Sequence, residues 1–280
     1  MQIAETKQQV RDAVAPARAE GATIGLVPTM GALHEGHLSL VRRSVAECDF
    51  TVVSIFVNPT QFSPGEDLAR YPRDLEGDAR RCEETGVDLI FAPSVDEMYH
   101  ERACTVVTVK GLTEGLCGAH RPGHFDGVTT VVCKLLNIVR PDRAYFGEKD
   151  YQQLVVIRAM VRDLDMPVEV VGCRTVRGPD GLAASSRNRY LSEREREVAP
   201  RLYQALQTGA EAAREGATGR EVERLVTREL ETEPLFRLQY VRAVHPETLE
   251  PREDKGVPMV IAAAAYLGET RLIDNVRVEG

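Results

Sequence analysis

Two histidines three residues apart, His34 and His37, close the run Gly25-Leu-Val-Pro-Thr-Met-Gly-Ala-Leu-His-Glu-Gly-His37. The β-branched and aliphatic residues Thr23–Val27 predict a buried strand that stops at Pro28. Gly31 then permits a tight reversal, Gly36 lets a ligand approach the backbone, and Leu38, Val41 and Val45 recur at helical spacing. His37 is therefore expected near a helix N-terminus, where amides and dipole favour phosphate and an imidazole can donate to oxygens that gain charge. A histidine after a strand is more often structural, and a His-x-x-His pair could be half a zinc site. Zinc fits poorly: the zinc-protease pattern needs His-Glu-x-x-His on one continuous helix, whereas Gly36 interrupts this pair and its spacing is one residue short.

Three further polar sets are present, two at the ends of predicted strands, where open α/β sheets bind ligands, and a third after the Gly-rich turn that opens the second domain. Asn58 and Gln61 lie between Phe56 and Phe62 and offer amides to a hydroxyl or carboxylate. In Phe146-Gly147-Glu148-Lys149-Asp150, Gly147 allows close approach, Lys149 is a compact positive charge, and Asp150 could cap the next helix. Ser185-Ser186-Arg187-Asn188-Arg189 brings two hydroxyls and two guanidinium groups into five residues, a good polyphosphate clamp that by composition alone would also suit a polar helix cap. Neither a Gly-x-x-x-x-Gly-Lys phosphate loop nor a Gly-x-Gly-x-x-Gly dinucleotide turn is present, which disfavours kinases and NAD enzymes.

These sets need a scaffold, and the pattern supplies one. A capping box at Thr6–Gln9 opens a helix that Pro16 is expected to kink, followed by strands at Thr23–Val27 and Phe50–Val57. Alternation continues with a helix at 74–84, a strand at 87–92, a helix at 127–139, a strand at 144–146, a helix at 151–164 and a strand at 168–171. This is an α/β, Rossmann-like, doubly wound parallel sheet. After Cys173 comes a Gly-Pro-Asp-Gly turn, then helices at 193–215 and 219–233 and strands at 238–244, 257–267 and 271–278. We expect a nucleotide-binding domain over 1–175 and a smaller α+β domain over 176–280.

With 280 residues, of which 43% are hydrophobic, the chain can build a sizeable core. A net charge of -8 opposes broad nucleic-acid or anionic-membrane binding, so an anionic substrate must be held by focused charge. No membrane span is expected. Six cysteines without a Cys-x-x-Cys pair, and an N-terminus lacking a basic and an apolar region, give an expectation of reduced thiols and a cytoplasmic location.

Taken in order, Pro28-Thr29-Met30-Gly31 with His34-Glu-Gly-His37, Phe56-Val-Asn-Pro59, Tyr71-Pro-Arg73, Arg121-Pro-Gly-His-Phe125, Phe146-Gly-Glu-Lys-Asp150 with Gln152-Gln-Leu154, and Ser185-Ser-Arg-Asn188 resemble the pantothenate synthetase family over nearly the whole chain. That resemblance implies an AMP-forming ligase related to the nucleotidylyltransferases, joining pantoate to β-alanine through pantoyl adenylate, with ATP as cosubstrate and Mg2+. It implies that His34 and His37 contact the ATP phosphates, with His37 as proton donor, and that Lys149, Ser185, Ser186 and Arg187 bind the phosphate chain. By the same resemblance Pro28, Thr29, Met30, Gly147, Glu148, Asp150 and Ala184 line the nucleotide site, and Val176 gives adenine a backbone contact. Gln61, Gln153, Asn58 and Met30 would hold pantoate, and Asp78 would position magnesium through water. Ala184 departs from the larger apolar residue the family pattern implies there, which would loosen the wall. A homodimer is implied as well.

Two other readings fit part of this pattern. A nucleotidylyltransferase for a different small acid would share the histidine motif, and Gln61 with Gln153 and the Gly147–Asp150 run argue against it. A non-catalytic nucleotide-binding relative would be expected to break a phosphate contact, yet His34, His37, Lys149 and Arg187 are all present.

Overall fold

Apolar residues on both faces of short strands call for helices on both sides of a sheet, and the chain supplies them in alternation. The computed structural model describes residues 1–279. In chain order its first elements are β1 (Gln2–Ala4), α1 (Lys7–Ala19), β2 (Ile24–Thr29), α2 (Glu35–Glu47), β3 (Phe50–Ile55), α3 (Leu75–Thr85) and β4 (Leu89–Phe91). They continue with α4 (Val95–Met98), α5 (Leu116–His120), α6 (His124–Val139), β5 (Arg143–Gly147), α7 (Tyr151–Asp163) and β6 (Glu169–Cys173). The remainder comprises α8 (Glu193–Val198), α9 (Arg201–Arg214), α10 (Gly219–Glu231), β7 (Phe236–Val244), β8 (Met259–Leu267) and β9 (Thr270–Val278).

The chain forms two units. The first holds residues 1–113, 120–148 and 153–174; the second holds 114–119, 149–152 and everything from 175 on. One cut near 175, as the sequence suggests, misses the two short stretches that group with the second unit.

In the first unit six parallel strands lie in the order β1-β4-β3-β2-β5-β6. Alternate residues of one strand face opposite layers: Leu26 of β2 packs in a core with Val10, Val128, Leu135 and Met160, while Val27 packs with Leu33, Val41, Cys82 and Tyr145. Gly25 brings α2 close, since a Cβ there would lie 2.2 Å from Ser44 Oγ. Strand order reverses between β2 and β5, the switch point at which doubly wound sheets bind ligands outside the strand carboxyl ends.

Some elements depart from expectation for local reasons. β2 runs through Pro28 to Thr29 instead of stopping. Its pairing with β5 covers Gly25 and Leu26, so Pro28 stands beyond the stretch where that neighbour asks for an N–H. Helix α1 likewise continues past Pro16 to Ala19, with its predicted capping box in place. The edge strand β1, three residues paired to β4, escaped the sequence reading because so short a run has no period. The long helix expected at 193–215 is two, α8 and α9, broken at Ala199-Pro200 where proline lacks an N–H.

The second unit is an antiparallel sheet, β7-β8-β9, with α9 and α10 burying Leu206, Ala210, Val222 and Val226 with Val241, Ile261 and Ala263 in one core. No helix among the described residues is long and apolar enough to cross a membrane.

Candidate active site

The histidine loop leaves the carboxyl end of β2 at the switch point. Thr29 anchors it first: its hydroxyl donates to Ser54 O at 2.7 Å and accepts the Gly31 amide at 3.2 Å. Gly31 and Ala32 both take left-handed backbone, at φ 81° and 51°. A side chain at Gly31 would meet Asp78 Oδ2 at 2.9 Å, so the turn needs glycine for space as well as for φ. Asp78, buried on α3, accepts the Ala32 and Leu33 amides at 2.7 Å each. One turn later Arg81 donates to the Leu33 carbonyl, so α3 grips both polar groups of one peptide segment.

This bracing delivers the histidines. His34 is the N-cap of α2, with Nδ1 accepting the Gly36 amide at 3.1 Å, and His37 lies in the first turn. An Nδ1 that accepts leaves the proton of the neutral ring on Nε2. The two rings lie 4.1 Å apart, centroid to centroid. Burial raises the Asp78 carboxyl above its ordinary value, against the two amides that favour its charged form. What the structure shows Asp78 doing is hold the loop, and no cluster of three or more His, Cys, Asp or Glu able to hold a metal ion is present among the described residues.

The amide pair stands beside this loop. Gln61 Nε2 donates to Met30 Sδ at 3.1 Å, and Asn58 Nδ2 donates to Gln61 Oε1 at 3.1 Å and to Gly127 O at 3.1 Å. Tyr99 donates to Asn58 Oδ1 at 2.8 Å, which fixes which way the Asn58 amide faces. The Gln61 carbonyl accepts from His124 Nδ1 at 2.7 Å and from Arg121 at 3.3 Å. Since a carbonyl only accepts, His124 carries its proton on Nδ1, and its Nε2 takes the Arg121 contact at 3.0 Å as acceptor. Arg121 is a fork onto Glu66, with both contacts at 2.6 Å. Burial alone would raise the Glu66 carboxyl, and the Arg121 hydrogen bonds and charge more than offset it, holding it below 4.5. Gln153 is half-buried in the first turn of α7.

The remaining expected residues belong to the second unit or lead into it. β5 ends at Gly147, and Glu148–Asp150 form a single 3-10 turn that runs straight into α7, which places Asp150 immediately before that helix. Lys149 Nζ lies 3.9 Å from Asp150 Oδ2. In the second unit Gly178–Gly181 forms a tight turn, Arg177 bridges Ala183, and the Ala184 amide donates to Val176 O at 2.9 Å. Ser185 then caps the 3-10 turn Ser186–Tyr190 by accepting the Arg187 amide at 3.3 Å.

Several contributors carry no role in the sequence reading. Arg121 and His124 stood in a visible motif, but Glu66, Tyr99, Gly127 and Arg81 are single residues whose contacts with Arg121, Asn58 and Leu33 span 41 or more positions.

Fold and loop together define a nucleotide-binding α/β enzyme of the doubly wound class. Residues 2–277 match the family model described as pantoate-beta-alanine ligase. The pantothenate synthetase of Moorella thermoacetica is 53% identical over all of this chain and 99% of its own. The crystal structure of pantothenate synthetase from Thermus thermophilus superposes with a TM-score of 0.95 at 52% identity, covering both chains fully. A pantoate-beta-alanine ligase from Francisella tularensis, complexed with beta-gamma ATP and beta-alanine, superposes with a TM-score of 0.82 at 34% identity, covering 99% of this chain and 97% of the other. This chain belongs to the pantoate–β-alanine ligase family.

Proposed function

We propose that this enzyme uses ATP to condense pantoate with β-alanine, forming pantothenate, AMP and pyrophosphate. The observation that carries this reading is the His34–His37 pair at the start of α2, braced at the switch point of a chain that belongs to the ligase family along its length.

In the first step a pantoate carboxylate oxygen bonds to the α-phosphorus of ATP and the bond to the pyrophosphate oxygen breaks. His34, His37, Ser185 and Ser186 donate hydrogen bonds to the phosphate chain, and Lys149 and Arg187 offset its charge as it leaves. Pro28, Thr29, Met30, Gly147, Glu148, Asp150 and Ala184 line the nucleotide, and Val176 meets adenine through its backbone. Gln61, Asn58 and Gln153 hold pantoate by donating to its carboxylate and accepting from its hydroxyls. In the second step the β-alanine amine attacks the acyl carbon, loses a proton, and AMP departs. No protein nucleophile is needed, so the residues act through position and charge. Magnesium would supply further charge neutralisation when bound with the ATP phosphates; the buried Asp78 carboxylate, committed to two amides, suits outer-sphere support at most. A homodimer and a cytoplasmic location complete the reading, the latter supported by six free cysteines.

The test is isotope exchange. With pantoate and Mg-ATP but no β-alanine, labelled pyrophosphate should enter ATP; with β-alanine, AMP and pantothenate should form in equal amounts. A requirement for β-alanine in the exchange would overturn the adenylate route, and full activity with an unrelated acid would overturn the substrate. Light scattering reads the dimer.

A further inference from the structure

Strand β9 carries two adjacent polar residues that are both buried, Asp274 at 4% exposure and Asn275 at 9%. A buried carboxylate is costly unless paired, and Asp274 is paired on both oxygens by the fork of Arg177, at 2.5 and 2.9 Å. Arg177 also donates to Gly181 O at 3.1 Å and to Asn275 O at 3.3 Å, and its guanidinium lies 3.5 Å from the centroid of the Tyr203 ring. Arg177 is the root of the turn whose far limb, through Ala183 and Ala184, leads directly into Ser185–Arg187. One residue along the strand, Asn275 Nδ2 donates to the main-chain carbonyl of Lys149 at 3.0 Å. The main-chain amide of Asn275 donates to Asp274 Oδ1 at 2.8 Å, so the strand backbone also holds the carboxylate that grips Arg177.

Two neighbours on one strand thus grip two pieces of chain that are distant in sequence. All of these residues lie in the second unit. Anchoring loop groups to a strand is how a supporting shell fixes side chains that must meet one ligand within a fraction of an ångström. We infer that Asp274 and Asn275 are positioning residues for adenylation: together they fix where Lys149 stands relative to the Ser185–Arg187 turn, so that both meet one phosphate chain. This inference rests on the reading of Lys149 and Ser185–Arg187 as ATP-phosphate ligands.

A purely structural pair would stabilise the second unit and touch catalysis only through stability, so the test is a coupling measurement on the full-length enzyme. Pantoate-dependent pyrophosphate exchange is measured for wild type, Lys149→Ala, Asn275→Asp and the double variant, with thermal unfolding alongside. Asn275→Asp keeps the shape and replaces the donor to the Lys149 carbonyl with an oxygen. It should lower kcat/KM for ATP by about 10- to 100-fold, the scale set by small misplacements of a charged group. The double variant should fall within about twofold of Lys149→Ala, because residues acting as a unit are not additive. Losses that multiply, or a single variant that exchanges like wild type, overturn the inference. Near-normal exchange by Lys149→Ala overturns the functional reading of Lys149 and the inference with it, and that variant alone tells the two failures apart. If Asn275→Asp does not fold, Asp274→Asn takes its place: amide exchange at Gly178, Gly181 and Ala184 should quicken and the ATP KM should rise with the pantoate KM unchanged, whereas unchanged protection and ATP KM overturn the inference.

Discussion

Asp78 accepts the amide of Ala32 at 2.7 Å while Ala32 stands at φ 51°, so a buried carboxylate on one helix holds a residue with a side chain in left-handed backbone. That conformation costs energy on its own and persists where surroundings over-determine it. Asp78→Asn turns one accepting oxygen into an NH2 that faces an amide donor. We expect a loss of about 1–3 kcal/mol in stability. Pyrophosphate exchange should fall by at least about 10-fold as the histidines shift. Denaturant unfolding and exchange assays on the same preparation check both; normal exchange with lowered stability would separate Asp78 from the site.

Gly127 opens the backbone of α6 to the Asn58–Gln61 turn. A Cβ at this position would lie 2.4 Å from Thr60 O and 2.7 Å from Gln61 Cα. Gly127→Ala should therefore push the turn, cost about 1–3 kcal/mol through overpacking, and raise the KM for pantoate more than that for ATP. Steady-state kinetics with each substrate varied in turn would show a parallel rise in both if Gln61 had no special part in pantoate binding.

The Glu66–Arg121 pair gives a pH signature. The Glu66 carboxyl is held below its ordinary 4.5 by Arg121, despite burial that pushes it up. A carboxyl with a depressed folded pKa adds stability that is complete above its unfolded value and is lost as pH falls through the folded one. The stability gap between wild type and Glu66→Gln should be widest at neutral pH and should shrink as pH drops below 4.5. Urea unfolding at neutral pH and at the acid end of the folded range measures it, and a gap independent of pH would remove the ion pair from the account.

Thiol reactivity should follow burial. Cys104 is exposed, whereas Cys82 is fully buried and burial pushes its thiol up to about 12. Because the thiolate is the reactive form, brief alkylation of the folded protein should label Cys104 first and Cys82 last. Peptide mass spectrometry reads the order, and early label on Cys82 would mean that the α3 layer opens readily.

Much of the first unit was legible because its signals are local. Runs of β-branched residues, the capping box at Thr6 and Gln9, and the glycine turn before His34 each report on neighbours a few positions away. The histidine pair, Asn58 with Gln61, and Lys149 could be picked out by type and spacing. The residues that hold them could not. Asp78 entered the reading only through the resemblance, in a magnesium role; by type and spacing it is an ordinary first-turn acid, and its contact with Ala32 spans 46 positions. Asp274 and Asn275 read as a polar interruption in a strand, with nothing nearby to point to Arg177 or Lys149. Pro28 misled for the opposite reason, since the rule that proline ends a strand depends on which neighbour is asking for its N–H.

The second unit gathers three stretches of chain, and two of them are short: 114–119, which holds most of α5, and 149–152, which enters α7. Each is tied where it lands: Cys117 Sγ meets Tyr240 OH at 3.2 Å, and Tyr151 OH donates to Pro246 O at 3.0 Å. A fragment starting at residue 176 would fold, if at all, without these inserts and without Lys149. The C-terminal region is consequently not a cassette that recombination could trade between enzymes at a single crossover, because a graft at that point would leave Lys149 and both short stretches behind in the donor and bring in a surface shaped for another chain's segments.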